Sequence, residues 1–219
     1  MKVIPAILPK SHDELVNKLE RVREYHDLIQ IDFVDGVVGE EKTWMPHFDE
    51  PVKDFPDHAF QFDLMVEDWK ALSLGLSKFI TIDSIVFHID SFTDEDLEYA
   101  SMWCKSNNIR CGFSITNDTG IDFLLSALLL VKEENRDIFV QVMGIRTIGV
   151  QGQVFDPESL VRIRRVRESF GDIFIQVDGA MRPETAIQVK SAGANAVVVG
   201  SYLFGREEIA LPLQKLALI

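Results

Sequence analysis

Leu28-Ile29-Gln30-Ile31-Asp32-Phe33-Val34-Asp35-Gly36 is the stretch whose reading decides the fold. Side chains of a strand alternate between its faces, so Ile29, Ile31 and Phe33 share one face while Gln30 and Asp32 share the other. The same alternation recurs at Phe60-Gln61-Phe62-Asp63 and at Ile175-Gln176-Val177-Asp178, so three strands read as ending in an aspartate. A carboxylate flanked by apolar neighbours is costly to bury unless it is paired, protonated or bound to a metal. One such residue alone reads as a strand end that faces solvent or caps a turn; three in one pattern point to a shared site.

Working outward, residues 3–8 form an apolar strand that stops at Pro9, and Ser11 with Glu14 makes a capping box for a helix over 13–25. The strand over 28–32 leads into a long loop reaching about residue 57, unusual enough in a compact domain to suggest function. Further strands are expected over 59–64, 84–89, 110–115, 137–143, 173–177 and 194–200. Helices are expected over 67–78, 94–107, 121–133, 157–170, 183–191 and 207–217. Eight strands alternating with helices in 219 residues predict one α/β domain over 1–219, a (β/α)8 TIM barrel. An open doubly wound sheet is the main competitor, but no GxGxxG follows the first strand and the polar residues are spread over strands two, three and seven.

The formal net charge of −13 disfavours a nucleic-acid surface, which needs clustered Lys and Arg, yet leaves room for one small phosphorylated ligand held by backbone N–H groups. The longest apolar run, 123–131, is too short to span a bilayer, so no membrane partner is expected. The N-terminal stretch carries Pro5 inside its apolar run and does not read as a signal peptide. Cys104 and Cys111 show no metal spacing, and a soluble cytoplasmic protein is the expectation.

Active sites of such barrels lie at the C-terminal ends of the strands, which would bring Asp32, Asp63, His88 and Asp178 to one rim. Strands two and seven are expected across the barrel from one another, so Asp32 and Asp178 would address opposite faces of a flat substrate. That suits proton transfer by two bases at one carbon. Gly149 and Gly152, Gly179, and Gly200 with Ser201 fall in the loops after strands six, seven and eight. Singly they read as turn residues; jointly they favour phosphate. Met65 and Met143 are expected to line the pocket floor, and His88 either orients a ligand or carboxylate or is a hydrogen-bonded core histidine.

These residues resemble the ribulose-phosphate 3-epimerase family over nearly the whole chain. Pro5-Ala6-Ile7-Leu8 is similar to the family's PSIL, Asp32-Phe33-Val34-Asp35-Gly36 to DxMDG and Leu64-Met65-Val66 to HLMV. Gly149-Val150-Gln151-Gly152-Gln153-Val154-Phe155 resembles GFGGQxF. Val177-Asp178-Gly179 with Arg182-Pro183-Glu184-Thr185-Ala186 resembles VDGGINPETA, and Val199-Gly200-Ser201-Tyr202-Leu203-Phe204 the closing AGSAIF.

The resemblance implies a sugar-phosphate substrate inverted at C3 through an enediolate, with Asp32 and Asp178 as the two proton-transfer groups. Met65, Met143, Gly149, Gly152, Gly179, Ala180, Gly200 and Ser201 would contact substrate or phosphate. It also implies a divalent metal held by two histidines and the two aspartates. Here the histidine positions are Gln30 and Asp63, the serine after PSIL is Pro9, and the second glycine of VDGG is Ala180. Two outcomes follow: an all-oxygen site of Gln30, Asp32, Asp63 and Asp178 suiting Mg²⁺ or Mn²⁺ better than Zn²⁺, or a metal-free site with Lys10 and Arg146 as the nearest oxyanion donors. A lyase or decarboxylase of the same barrel type is an alternative, but Asp63-Leu64-Met65-Val66-Glu67-Asp68 has Met65 where the DxKxxD lysine belongs. A third reading is a non-catalytic barrel that binds a phosphorylated ligand. No nucleotide cofactor is indicated, and a homo-oligomer is compatible with the helix composition.

Overall fold

Alternation along each strand is what closes the structure. A computed structural model describes residues 1–25, 28–46, 58–77, 82–135 and 137–219. Its elements run β1 (Lys2–Ile7), α1 (His12–Val22), β2 (Leu28–Val34), β3 (Ala59–Met65), α2 (Trp69–Leu76), β4 (Ile82–His88), α3 (Asp94–Ser106) and β5 (Arg110–Ile115). They continue with α4 (Ile121–Val131), β6 (Ile138–Met143), α5 (Glu158–Phe170), β7 (Phe174–Asp178), α6 (Pro183–Ala192), β8 (Ala196–Val199), α7 (Ser201–Phe204) and α8 (Ala210–Ala217). All strands are parallel and pair in sequence order, and β8 pairs with β1 to close the barrel. This is the expected (β/α)8 fold.

Ile29, Ile31 and Phe33 face outward into the main core together with Phe60, Phe62, Ile175 and Val177. Burying each such side chain stabilises the fold by about 1.5–3 kcal/mol. The facing helices supply Leu15, Leu19 and Val22 from α1, whose Ser11 cap accepts from the Glu14 N–H at 3.2 Å. A one-residue slip of β2 would put Gln30 and Asp32 under the helices, so this apolar face pins the polar one inside the barrel.

Three expectations change. β2 and β3 continue two residues past Asp32 and Asp63, so of the three aspartates Asp178 alone ends its strand. β2 and β7 are three strands apart around the ring, through β1 and β8, rather than directly opposite. The helix expected over 207–217 forms as α8, and ahead of it stands a short helix, α7, that was not expected. Of the long loop after β2, residues 35–46 are described and include a bridge between Asp35 and Lys42, while 47–57 lie outside the described residues.

Toward the strand N-termini a buried ring, Phe139, fills the barrel interior among the described residues. Gly112 of β5 lies against the Phe139 ring, so closely that a Cβ there would come within 2.4 Å of Cζ. Arg110 covers the rings of Phe139 and Phe174 at 5.0 and 5.4 Å, and Asp83 lies 3.5 Å from its guanidinium. Among the described residues no helix is long and apolar enough to cross a membrane.

Candidate active site

Above this floor the interior carries a polar layer, one glutamine each from β2, β3, β6 and β7. Gln61 Nε2 donates to Gln30 Oε1 at 2.5 Å, and Gln176 Nε2 to Gln141 Oε1 at 2.6 Å. Ser84 Oγ lies 3.0 Å from Gln61 Oε1. These amides are held because a buried polar group left unpaired costs about 1–3 kcal/mol.

On this layer stand the three aspartates. One carboxylate oxygen from each of Asp32, Asp63 and Asp178 lies within 4.8 Å of the others. Gln30 Nε2 donates to Asp32 Oδ1 and to Asp178 Oδ2, both at 2.8 Å, with Asp63 Oδ2 at 3.5 Å. Asp63 is wholly enclosed and takes Gln141 Nε2 at 2.7 Å on Oδ2 and His88 Nε2 at 2.9 Å on Oδ1. Among the described residues Asp32 Oδ2 and Asp178 Oδ1 accept no side-chain donor, and both residues line the cleft above.

The electrostatics follow from this crowding. Burial first, then the charges of Asp178 and Asp63, lift the Asp32 carboxyl well above the usual carboxylate range. Burial, then Asp63, pushes Asp178 up to about 7. On His88 burial works against the charged form, but the charge and hydrogen bond of Asp63 outweigh it and the imidazole is raised. A carboxyl raised on folding contributes stability that is complete below the ordinary carboxylate range and is lost as pH rises through about 7. The urea midpoint is therefore expected to fall between about pH 5 and about pH 8, more steeply in the parent than in Asp178→Asn. Equal slopes for the two proteins would contradict a raised Asp178.

The cleft spans about 540 Å³ when the open solvent at its mouth is included. It is lined by Asp32, Met65, Met143, Gly149, Gly152, Asp178, Gly179, Ala180, Gly200 and Ser201, with Gln151 and Met181 beside them. Gln30 and Asp63 are not on this lining but directly beneath it. No Lys or Arg lines the cleft among the described residues. Lys10 is exposed and 3.7 Å from Glu41, and Arg146 bonds Asp156 at 3.0 Å, so neither serves the carboxylates. Gln141 was not singled out by sequence, although Phe139-Val140-Gln141-Val142-Met143 carries the same alternation as β2.

Ala180 has φ 56°, the left-handed region where a Cβ costs about 1–2 kcal/mol. Ala180→Gly relieves that strain and adds back some unfolded-state entropy. A net gain of about 0.5–1 kcal/mol in unfolding free energy is expected, read as a rise in the denaturation midpoint.

The donor set fits a hard divalent cation. Three carboxylates offer oxygen, and the nearby imidazole is committed to Asp63. Gln30 points its N–H groups inward and would have to turn its amide to offer Oε1.

Against known proteins, the ribulose-phosphate 3 epimerase family matches residues 2–204. The cytoplasmic isoform of ribulose-phosphate 3-epimerase from Oryza sativa subsp. japonica is 28% identical over 208 residues, covering 94% of this chain and 89% of that protein. The ribulose-phosphate 3-epimerase of Synechocystis is 26% identical over 213 residues, covering 95% and 89%. Among solved structures, a 3-hexulose-6-phosphate synthase superposes with TM-score 0.72 at 18% identity, covering 99% of this chain and 98% of the other. A 3-keto-L-gulonate-6-phosphate decarboxylase from Vibrio cholerae gives 0.68 at 14%, covering 99% and 97%. At such identities the structural likeness is one of fold. The match over 2–204, carried on a barrel whose polar strand faces converge on one cleft, places the chain in the ribulose-phosphate 3-epimerase family.

Proposed function

We propose that the protein is a cytoplasmic sugar-phosphate epimerase that inverts C3 of a small ketose phosphate by proton transfer between Asp32 and Asp178 through an enediolate. The observation that carries this reading is the pair itself. A buried carboxyl, Asp32, and a half-buried one, Asp178, both with raised proton affinity, are bridged by one amide, and each has an oxygen free of side-chain donors beside the same cleft.

A pair of this kind, crowded by a third carboxylate, favours a state with one member ionised and the other protonated. The ionised member takes the C3 proton and the enediolate forms. The protonated member then returns a proton to the other face of C3, and the pair ends with its proton moved from one aspartate to the other. Gln30 holds the inner oxygens when no cation is bound and a cation would take over that role, so in either state each carboxyl keeps its outer oxygen for the substrate.

The phosphate would be met by backbone N–H groups of the loops after β7 and β8, at Gly179, Ala180, Gly200 and Ser201, since the lining offers no cationic side chain. Asp32, Asp63 and Asp178, with Gln30 through its amide oxygen, would hold a divalent cation, Mg²⁺ or Mn²⁺ before Zn²⁺. Such an ion supplies positive charge to the developing oxyanion. Met65 at the lysine position tells against the decarboxylase reading.

The test is NMR of ribulose 5-phosphate in D₂O with chelator-treated protein, then with Mg²⁺, Mn²⁺ or Zn²⁺ restored. Deuterium entering C3 only with Mg²⁺ or Mn²⁺ is the expected result. No exchange at C3 under any condition would overturn the reading for this sugar.

A further inference from the structure

Below the carboxylates runs a chain of hydrogen bonds whose two ends ask for opposite polarities. At the upper end Gln30 Nε2 donates to Asp32 and Asp178 at 2.8 Å, which leaves Gln30 Oε1 to accept from Gln61 Nε2 at 2.5 Å. Gln61 Oε1 must then accept from Ser84. At the lower end Ser84 Oγ stands between two acceptors, Gln61 Oε1 at 3.0 Å and Asp83 Oδ2 at 2.8 Å, and a hydroxyl carries one hydrogen. In this polarity one of those two contacts lacks a proton.

Turning both amides by half a turn gives a second network on the same heavy atoms. Gln30 Nε2 then donates to Gln61 Oε1, Gln61 Nε2 donates to Ser84 Oγ, and the Ser84 hydrogen goes to Asp83. Both Ser84 contacts are satisfied at once. Gln176 Nε2, which donates to Gln141 Oε1 at 2.6 Å and lies 3.4 Å from Gln30 Oε1, loses only that longer contact in the reversal. The upper end resists the reversal most, because it sets the Gln30 oxygen among three carboxylates. A divalent cation removes that objection, since it requires an oxygen there.

We propose that Gln30, Gln61 and Ser84 form a polarity switch beneath the carboxylate cage, which reverses as a unit when a divalent cation enters and thereby sets part of that cation's affinity. The inference rests on reading the cage as a cation site. Its consequence is that affinity depends on a hydroxyl that reaches no carboxylate of the cage and is separated from them by two amides.

The experiment titrates Mg²⁺ and Mn²⁺ calorimetrically into the parent protein and Ser84→Ala, and follows the ¹⁵N-labelled glutamine side-chain amides through the Mg²⁺ titration. In Ser84→Ala the reversed network strands a buried N–H while the unreversed one strands a carbonyl, and the stranded N–H costs more. Affinity for both ions is therefore expected to fall by about three- to tenfold, the worth of one hydrogen bond. In the parent the Gln61 amide signal is expected to move on Mg²⁺ saturation. Unchanged affinity in Ser84→Ala together with a stationary Gln61 signal would overturn the switch and leave the cation site standing. Absence of binding heat in the parent would remove both, while exchange at C3 is judged separately. Should Ser84→Ala fail to fold, the parent's Gln61 signal decides alone.

Discussion

Asp178→Asn is expected to slow deuterium entry at C3 of ribulose 5-phosphate by about 100- to 10,000-fold, the usual worth of one positioned acid or base. The Asn side chain keeps the shape and one oxygen for Gln30, but it neither accepts the C3 proton nor returns one. Asp32→Asn is expected to do the same. On the proposed reading, in which backbone at Gly179, Ala180, Gly200 and Ser201 meets the phosphate, binding of the sugar phosphate should change little, within about threefold. Exchange kept near the parent rate in either variant would mean that the proton is moved by another group. A collapse of binding along with exchange would mean that the carboxyl orders the cup instead of doing chemistry.

The second large effect concerns the enclosed pair below. His88 and Asp63 meet at 2.9 Å with both side chains fully buried. Removing one member of a buried pair leaves the other without compensation, which typically costs about 3–5 kcal/mol, whereas replacing both by apolar residues can be close to neutral. His88→Leu should therefore lower the urea midpoint sharply, and Asp63→Leu with His88→Leu should recover much of the loss. A double variant as unstable as the single one would show that Gln141 and Gln30, not His88, hold Asp63 in place.

Much of the site was legible because strand alternation carries two messages at once. In β2, β3 and β7 the outward apolar residues announced the strand, and the residues between them announced the interior. Depth was not legible. Asp32 and Asp63 read as strand ends, and the two further residues of pairing that bury them depend on the register of neighbouring strands, Asp32 with Asp63 and Val34 with Met65. Register is a property of pairs, and no single strand records it. Gln141 escaped notice because β6 repeats the pattern without an aspartate at its end. Lys10 and Arg146 looked close to the site along the chain, but Glu41 and Asp156 draw them outward. The glutamine layer became visible only when four strands separated by long stretches of chain were set side by side.

The filled floor has a bearing on time as well as on shape. With Phe139 pressed onto Gly112 and Arg110 laid over the rings, the described residues leave the carboxylates open toward the cleft, where on the proposed reading the substrate would stand. On that reading a hydrogen lifted from C3 would have nowhere to go while its donor remained. It would wait on a carboxyl that bulk solvent could wash only after the visitor departed, and the chamber would remember, through one turnover, which atom it was handed.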